Sequence, residues 1–269
     1  MGADIKALKI RIKSVDSTLH LTKAMQLVAA SKIWRANDAM AKSRSYMNAF
    51  EQVIGNLASS EECKKSPYLS ALSSGKEKMI VIAGDRGLAG GYNANVYKLA
   101  KKFPDVEIIP IGKRANDKYS KSSEPVYAER FTADTASELA RSLCEEFLDG
   151  KIGKVSIIGT KYVSAMTQEP YVKQILPIEI KEKPIKSSII FEPDELTVLN
   201  TVIPEYVAGF ISACVKESFA SEVAARRMAM DSAGKNAKKM IDDLKLAYNR
   251  ARQSSITKEI TEIVAGNDN

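Results

Sequence analysis

The chain has 269 residues, 45 % hydrophobic and 27 % charged, with a formal net charge of +7, the composition of a folded protein of one large or two small domains. Aromatic residues make up only 7 %, with one Trp and one His, which argues against a large globular core and excludes a His-based triad or a His-rich metal site. The three cysteines, Cys63, Cys144 and Cys214, are widely spaced with no CxxC pair, so no metal site or disulfide framework is expected and a reducing compartment fits.

The first element is a long helix. Stepping alternately by three and four from Ile5 gives Leu8, Ile12, Val15, Leu19, Thr22, Gln26, Ala29, Ile33, Ala36, Met40, Ser43, Met47, Phe50, Ile54 and Leu57, and thirteen of these sixteen residues are apolar. Pro is absent from this stretch and the first glycine after Gly2 is Gly55. A heptad held this long predicts a coiled-coil helix over residues 1–58, roughly 80–85 Å long at about 1.5 Å per residue. It carries nine Lys/Arg against four Asp/Glu. That +5 balance is either a solvated face or a surface for nucleic acid, lipid or an acidic protein. His20 reads as a surface or interface histidine.

Residues 59–77, rich in Ser, Lys and Glu with Pro67, read as a linker. A different texture follows. Residues 78–84 (KMIVIAG), 107–112 (EIIPIG) and 154–160 (KVSIIGT) are short β-rich runs, 127–131 is a weaker one, and 174–180 with 189–191 reads as one or two edge strands. Helices are predicted near 90–103, 113–120 and 134–149. Strands alternating with helices predict a parallel α/β sheet. Within it, Gly84-Asp-Arg-Gly87-Leu-Ala-Gly90-Gly91-Tyr-Asn93 follows a strand and opens a helix, the setting of a phosphate-binding loop. No Gly-Lys-Ser/Thr closes it and the spacing is not GxGxxG. Gly87, Gly90 and Gly91 therefore read as a structural turn.

Residues 181–195, with Pro184 and Pro193, read as the return to a second long helix, expected from Glu205 after Pro204 to Val264, roughly 90 Å. Its apolar positions include Val207, Phe210, Ile211, Cys214, Val223, Met228, Met240, Ile241, Leu244, Tyr248, Ile256, Ile260 and Ile263, with Ala220, Ala224, Ala225, Ala229, Ala233 and Ala237 between. Gly234 is a weak point of about 1 kcal/mol. The acids on this helix alternate with bases and read as ion-paired, not as an acid–base couple. No apolar run nears the roughly 20 residues of a membrane span, the longest being 79–83 and 207–215. No signal peptide is evident, and Lys6 replaces the Ser/Thr of a myristoylation signal. Membrane association is therefore expected to be indirect. The expected architecture is α/β: a long antiparallel coiled coil of the N-terminal helix (1–58) and the C-terminal helix (203–265), plus a central Rossmann-like α/β domain (78–192). Both chain ends are expected at the tip remote from that domain.

Two terminal blocks go beyond a generic coiled coil. One is Ile10-Arg-Ile-Lys-Ser-Val15 with Leu21-Thr-Lys-Ala-Met-Gln-Leu-Val-Ala-Ala-Ser-Lys32. The other is Glu217-Ser-Phe-Ala-Ser-Glu222, Ala225-Arg-Arg-Met-Ala-Met230, Asn236-Ala237 and LKLAYNRARQSSITKEITEIV from Leu244. With the 85–93 turn they resemble the gamma subunit of F-type ATP synthases, over the whole chain and in order. The resemblance implies a non-catalytic rotor shaft inside a head of alpha and beta subunits, its central domain near the epsilon subunit and the membrane ring of c subunits. Ion flow turns the ring, and the shaft's asymmetry drives the head's nucleotide sites in sequence. It implies no cofactor or metal on this chain. Lys23, Met25, Arg252, Gln253 and Thr257 match family positions that contact the head. Ala89 stands where many members have Cys, Gly234 where a Thr is expected, and His20 where a Lys is common. The regulatory Cys insert of the chloroplast type is missing, so no redox switch is inferred. The resemblance, with no transit peptide evident, implies a peripheral protein on the cytoplasmic side of a bacterial inner membrane. The alternative is a basic coiled-coil nucleic-acid-binding protein, although its bases are spread along the heptads rather than gathered in one arm. A small nucleotide-binding enzyme using the glycine turn is a third reading.

Overall fold

The computed structural model describes residues 2–58, 60–70, 75–179 and 191–267. Two compact units emerge, residues 1–29 with 227–269, and residues 30–226.

In the first unit, the start of α1 (Gly2–Ala58) pairs with the end of α5 (Glu195–Asn267). Gln26 donates to Asp231 at 3.1 Å, while the space beside Gly234 is bounded by Thr22 and Leu19. Lower numbers in one helix meet higher numbers in the other, so the pair is antiparallel. The predicted α1 stripe is the seam: Ile5, Leu8, Ile12, Val15, Leu19, Thr22, Gln26 and Ala29 are all buried or half-buried. The α5 seam does not follow its apolar residues alone. It runs Met230, Gly234, Ala237, Ile241, Leu244, Tyr248, Ala251 and Ser255, also at alternating steps of four and three, all buried or half-buried. Met240, Ile256, Ile260 and Ile263, among the helix's apolar positions, are exposed. Half of the α5 seam residues are small, which lets two backbones approach closely, and so apolarity alone does not mark it.

The second unit is built on a four-stranded sheet of order β2-β1-β3-β4, with β1 Lys76–Ile82, β2 Glu107–Ile111, β3 Ile152–Tyr162 and β4 Gln168–Leu176. Strand β1 pairs in parallel with β2 and β3, whereas β4 runs antiparallel to β3. The sheet is therefore mixed, not fully parallel. The connection of residues 163–167 is too short for the crossover that a parallel pair needs. The central strand is apolar on both faces, as expected when both are covered. Met79, Val81 and Ala83 pack on α2 (Tyr92–Ala100) and α3 (Lys113–Tyr119). Ile80 and Ile82 join Leu143 and Phe147 of α4 (Ala133–Leu148), Met47, Ile54 and Leu57 of α1, and Leu199, Ile203, Val207 and Ile211 of α5.

Several boundaries depart from the sequence reading. The second long helix starts at Glu195, ten residues before the expected start, with Pro204 inside it. Asp194 caps it, accepting from the Thr197 N–H at 2.8 Å, as an N-cap carboxylate does. Buried Leu199, Ile203 and Val207 on either side of the proline offset its missing hydrogen bond. Within α5 an 18-residue window reaches mean hydropathy 1.5, long and apolar enough to cross a membrane by those measures, and 44 % of it is buried inside the protein. Residues 127–131 form no strand. Ala128 and Glu129 instead donate their N–H groups to Asp85 at 2.9 and 2.8 Å. The edge strand starts at Gln168 rather than 174 and tolerates Pro170, as an edge position does. Of the second edge candidate, Ile189 and Ile190 lie outside the described residues, and Phe191 is not in a strand. The 59–77 segment is only partly a linker. It holds two short 3-10 turns, Cys63–Lys65 and Pro67–Leu69, with Cys63 and Tyr68 buried; Ser59 and residues 71–74 lie outside the described set.

Candidate functional site

The glycine turn of residues 84–93 lies at the carboxyl end of β1, with β2 on one side and β3 on the other. A doubly wound sheet takes its ligand in the crevice at such a switch point. Here α5 fills the crevice. Glu222 is 2 % exposed and packs so closely on Gly84 that a Cβ there would lie 2.7 Å from its Oε1. Only glycine fits. Burial drives the Glu222 carboxyl above its ordinary range, and its hydrogen bond and ion pair with Arg226 oppose that shift.

The turn is partly committed to the chain's own groups. A cradle points free N–H groups at an anion. In this turn the Gly84 N–H donates to the Asn93 side chain at 2.9 Å, and the Tyr92 N–H to the Ala89 carbonyl at 3.2 Å. The carbonyls of Arg86 and Gly87 point the other way and accept from Arg226 at 3.3 and 3.4 Å. Gly90 takes φ +58°, a left-handed conformation that favours glycine. Leu88 takes φ +61° without that licence and is 63 % exposed. Gly87 lies against Arg114, and Gly91 opens α2. The structure thus brings the three predicted glycines together in one turn.

Further bonds tie α5 to the inner strand β3. Ser218 accepts from the Thr160 N–H at 2.9 Å, and Ser221 donates to the Thr160 carbonyl at 3.1 Å. The Tyr92 hydroxyl, which burial drives above its ordinary range, donates to the Ser218 carbonyl at 3.0 Å. Asp85 ties the turn to the 112–129 segment by accepting from the N–H groups of Lys113, Ala128 and Glu129. Lys32 of α1 pairs with Glu129 and holds its carboxyl below the usual range. A nearby cleft of about 770 Å³ holds two ion pairs, Arg44 with Glu217 at 2.7 Å and Lys173 with Glu51 at 3.1 Å. No group of three or more His, Cys, Asp or Glu fit to hold a metal occurs among the described residues. The three cysteines are buried and free.

The five residues matched to head contacts all lie in the coiled-coil unit. Lys23, Arg252, Gln253 and Thr257 are exposed and Met25 is half-buried. The Thr257 hydroxyl donates to the Gln253 carbonyl, one turn back. Sequence reasoning missed what surrounds them. Leu21, Leu27, Val28, Ile256, Ile260 and Ile263 are exposed, Leu27 by 71 % and Ile263 by 70 %. Their off-seam heptad positions were the available signal.

A family model described as ATP synthase matches residues 4–268. The ATP synthase gamma chain of Ruminococcus albus is 41 % identical over 289 residues, covering 99 % of each chain. That of Moorella thermoacetica is 38 % identical, again over 99 % of each. Among solved structures, a chain of the Euglena gracilis mitochondrial ATP synthase (OSCP/F1/c-ring, rotational state 3) superposes with a TM-score of 0.67 at 17 % identity, covering 98 % of this chain and 94 % of that one. At that identity the likeness concerns the fold.

Proposed function

Because the chain belongs to the gamma-chain family of ATP synthases, we propose that it is the central rotor shaft, coupling ion-driven rotation of a membrane c-ring to ATP synthesis and hydrolysis in an alpha/beta head. The observation that carries this reading is the match at 41 % identity along 99 % of both chains. The chain is a non-catalytic subunit, and the nucleotide chemistry belongs to the head. Its working parts are residues 1–58 and 203–265 as the shaft and 78–192 as the domain that meets the epsilon subunit and the ring. Lys23, Met25, Arg252, Gln253 and Thr257 contact the head. An exposed Arg or Gln can hydrogen-bond one head subunit in one orientation and release it in the next, and the apolar residues between them form no directional bond that would arrest rotation. The protein is part of a membrane-associated complex, held peripherally on the cytoplasmic face of a bacterial inner membrane and touching the membrane only through its partners. No observation favours the nucleic-acid alternative.

Purification of the native complex tests this. The chain should co-purify with ATPase-competent alpha and beta subunits. Deleting residues 244–269 should abolish coupled ATP synthesis, and unimpaired synthesis would sink the reading.

A further inference from the structure

A helix packed on a sheet by apolar contact alone resists rotation about its own axis only weakly, because such contact is non-directional. Hydrogen bonds of fixed geometry resist it. We infer that Glu222 and Arg226 are positioning residues that lock α5 rotationally to the 84–93 turn, so that torque received by the sheet passes into the helix. The inference rests on the rotor reading and adds where within the chain the torque crosses.

The lock has two sides. From β3, Thr160 holds Ser218 and Ser221 through its backbone N–H and carbonyl, and the Tyr162 N–H donates to Glu217 at 3.3 Å. From β1, the Arg226 guanidinium joins Glu222 and the carbonyls of Arg86 and Gly87. Rotating α5 in either direction strains one set. The planar, multi-donor fork of Arg spans three acceptors at once, which the single ammonium of Lys cannot do. Both side chains are largely withdrawn from water, at 12 % and 3 % exposure, where charge-assisted bonds are strong. Glu222 also fills the place beside Gly84 that a ligand would otherwise take. The crevice is thus used for fastening rather than for chemistry.

The test uses the complete complex in sealed vesicles, with the wild-type chain, Arg226→Ala and Arg226→Lys. Three quantities are read: ATP hydrolysis, the membrane potential it generates by a potential-sensitive dye, and the amount of chain retained. For Arg226→Ala, hydrolysis and retention should stay near wild type. Slippage should rise roughly tenfold, the factor that one lost charge-assisted hydrogen bond sets, and the potential per ATP hydrolysed should fall measurably below wild type. Arg226→Lys should recover part of the loss. An unchanged ratio in Arg226→Ala overturns the inference. So does a parallel fall of hydrolysis, potential and retention, which marks a merely structural role. A wild-type chain that generates no potential would instead overturn the rotor reading.

Discussion

Replacing Gly234 by Ala should stabilise the coiled-coil unit, although the glycine sits on its seam. A helix-interior glycine costs about 0.5–1 kcal/mol relative to alanine, mostly in backbone entropy. The gain is realised only where the added methyl fits. At Gly234 the new Cβ would lie 3.6 Å from Thr22 Oγ1 and 3.8 Å from Leu19 Cδ1, ordinary van der Waals contacts that fill space rather than force it. The substitution should therefore contribute about 1 kcal/mol, propensity and contact together. Thermal unfolding followed by circular dichroism reads the effect. Should residues 1–29 and 227–269 melt as a unit of their own, the first transition should rise by about 4–8 °C, and by about 2–4 °C if the whole chain melts together. Gly55→Ala, in the other unit, is the propensity reference, because its Cβ meets nothing within 4 Å; it should leave a separate first transition unmoved and raise a common one. A lowered midpoint for Gly234→Ala would refute the seam packing deduced here.

At Gly84 the same substitution should do the opposite, since its Cβ would meet the buried Glu222 at 2.7 Å. A loss of about 1–3 kcal/mol is expected in denaturant titration, and a neutral result would mean that α5 is not seated against the turn. Leu199→Ala, at a fully buried position in the main core, should cost about 2–5 kcal/mol by the same method. Lys32→Ala should remove a pH-dependent contribution. Lys32 lowers the Glu129 carboxyl, so the stability it gives is present above the unfolded value of 4.5 and is lost as pH falls through the lower folded value. Wild type and variant should differ slightly at neutral pH, both groups being partly exposed, and converge in acid when unfolding is followed across that range. Ile256→Ser, at an exposed off-seam position, should change the isolated chain by no more than about 0.5 kcal/mol yet weaken its capture by alpha and beta subunits in a pull-down.

The α1 stripe was legible because heptad spacing and apolarity agree there. All sixteen stepped positions, from Ile5 to Leu57, are buried or half-buried. The inner strands were legible for a similar reason, since a strand covered on both faces is apolar throughout. On α5 the two signals separate. Gly234, Ala237, Ala251 and Ser255 line the seam while Ile256 and Ile260 face outward, so apolarity alone misleads there. Pro204 looked like a helix start because its local rule is strong, yet the burial of its neighbours outweighs one lost hydrogen bond. The glycine turn was visible as a motif. Its occupant was not, because Arg226 stands 139 residues from Gly87 and no local pattern links them.

That occupant decides what the turn does. Fold alone never fixes function, and a glycine-rich turn after a central strand suits anion binding whenever its N–H groups are free. Here three features oppose that use. The Gly84 N–H is spent on Asn93, the outward carbonyls of Arg86 and Gly87 draw a cation, and Glu222 puts a carboxylate where an anionic ligand would have to sit. An incoming phosphate would face that carboxylate at close range in a poorly screened site. Were the crevice a relic awaiting a ligand, its walls would be apolar or positively charged with room between them. Instead it is filled by the chain's own ion pair, as a joint between a sheet and a turning helix requires.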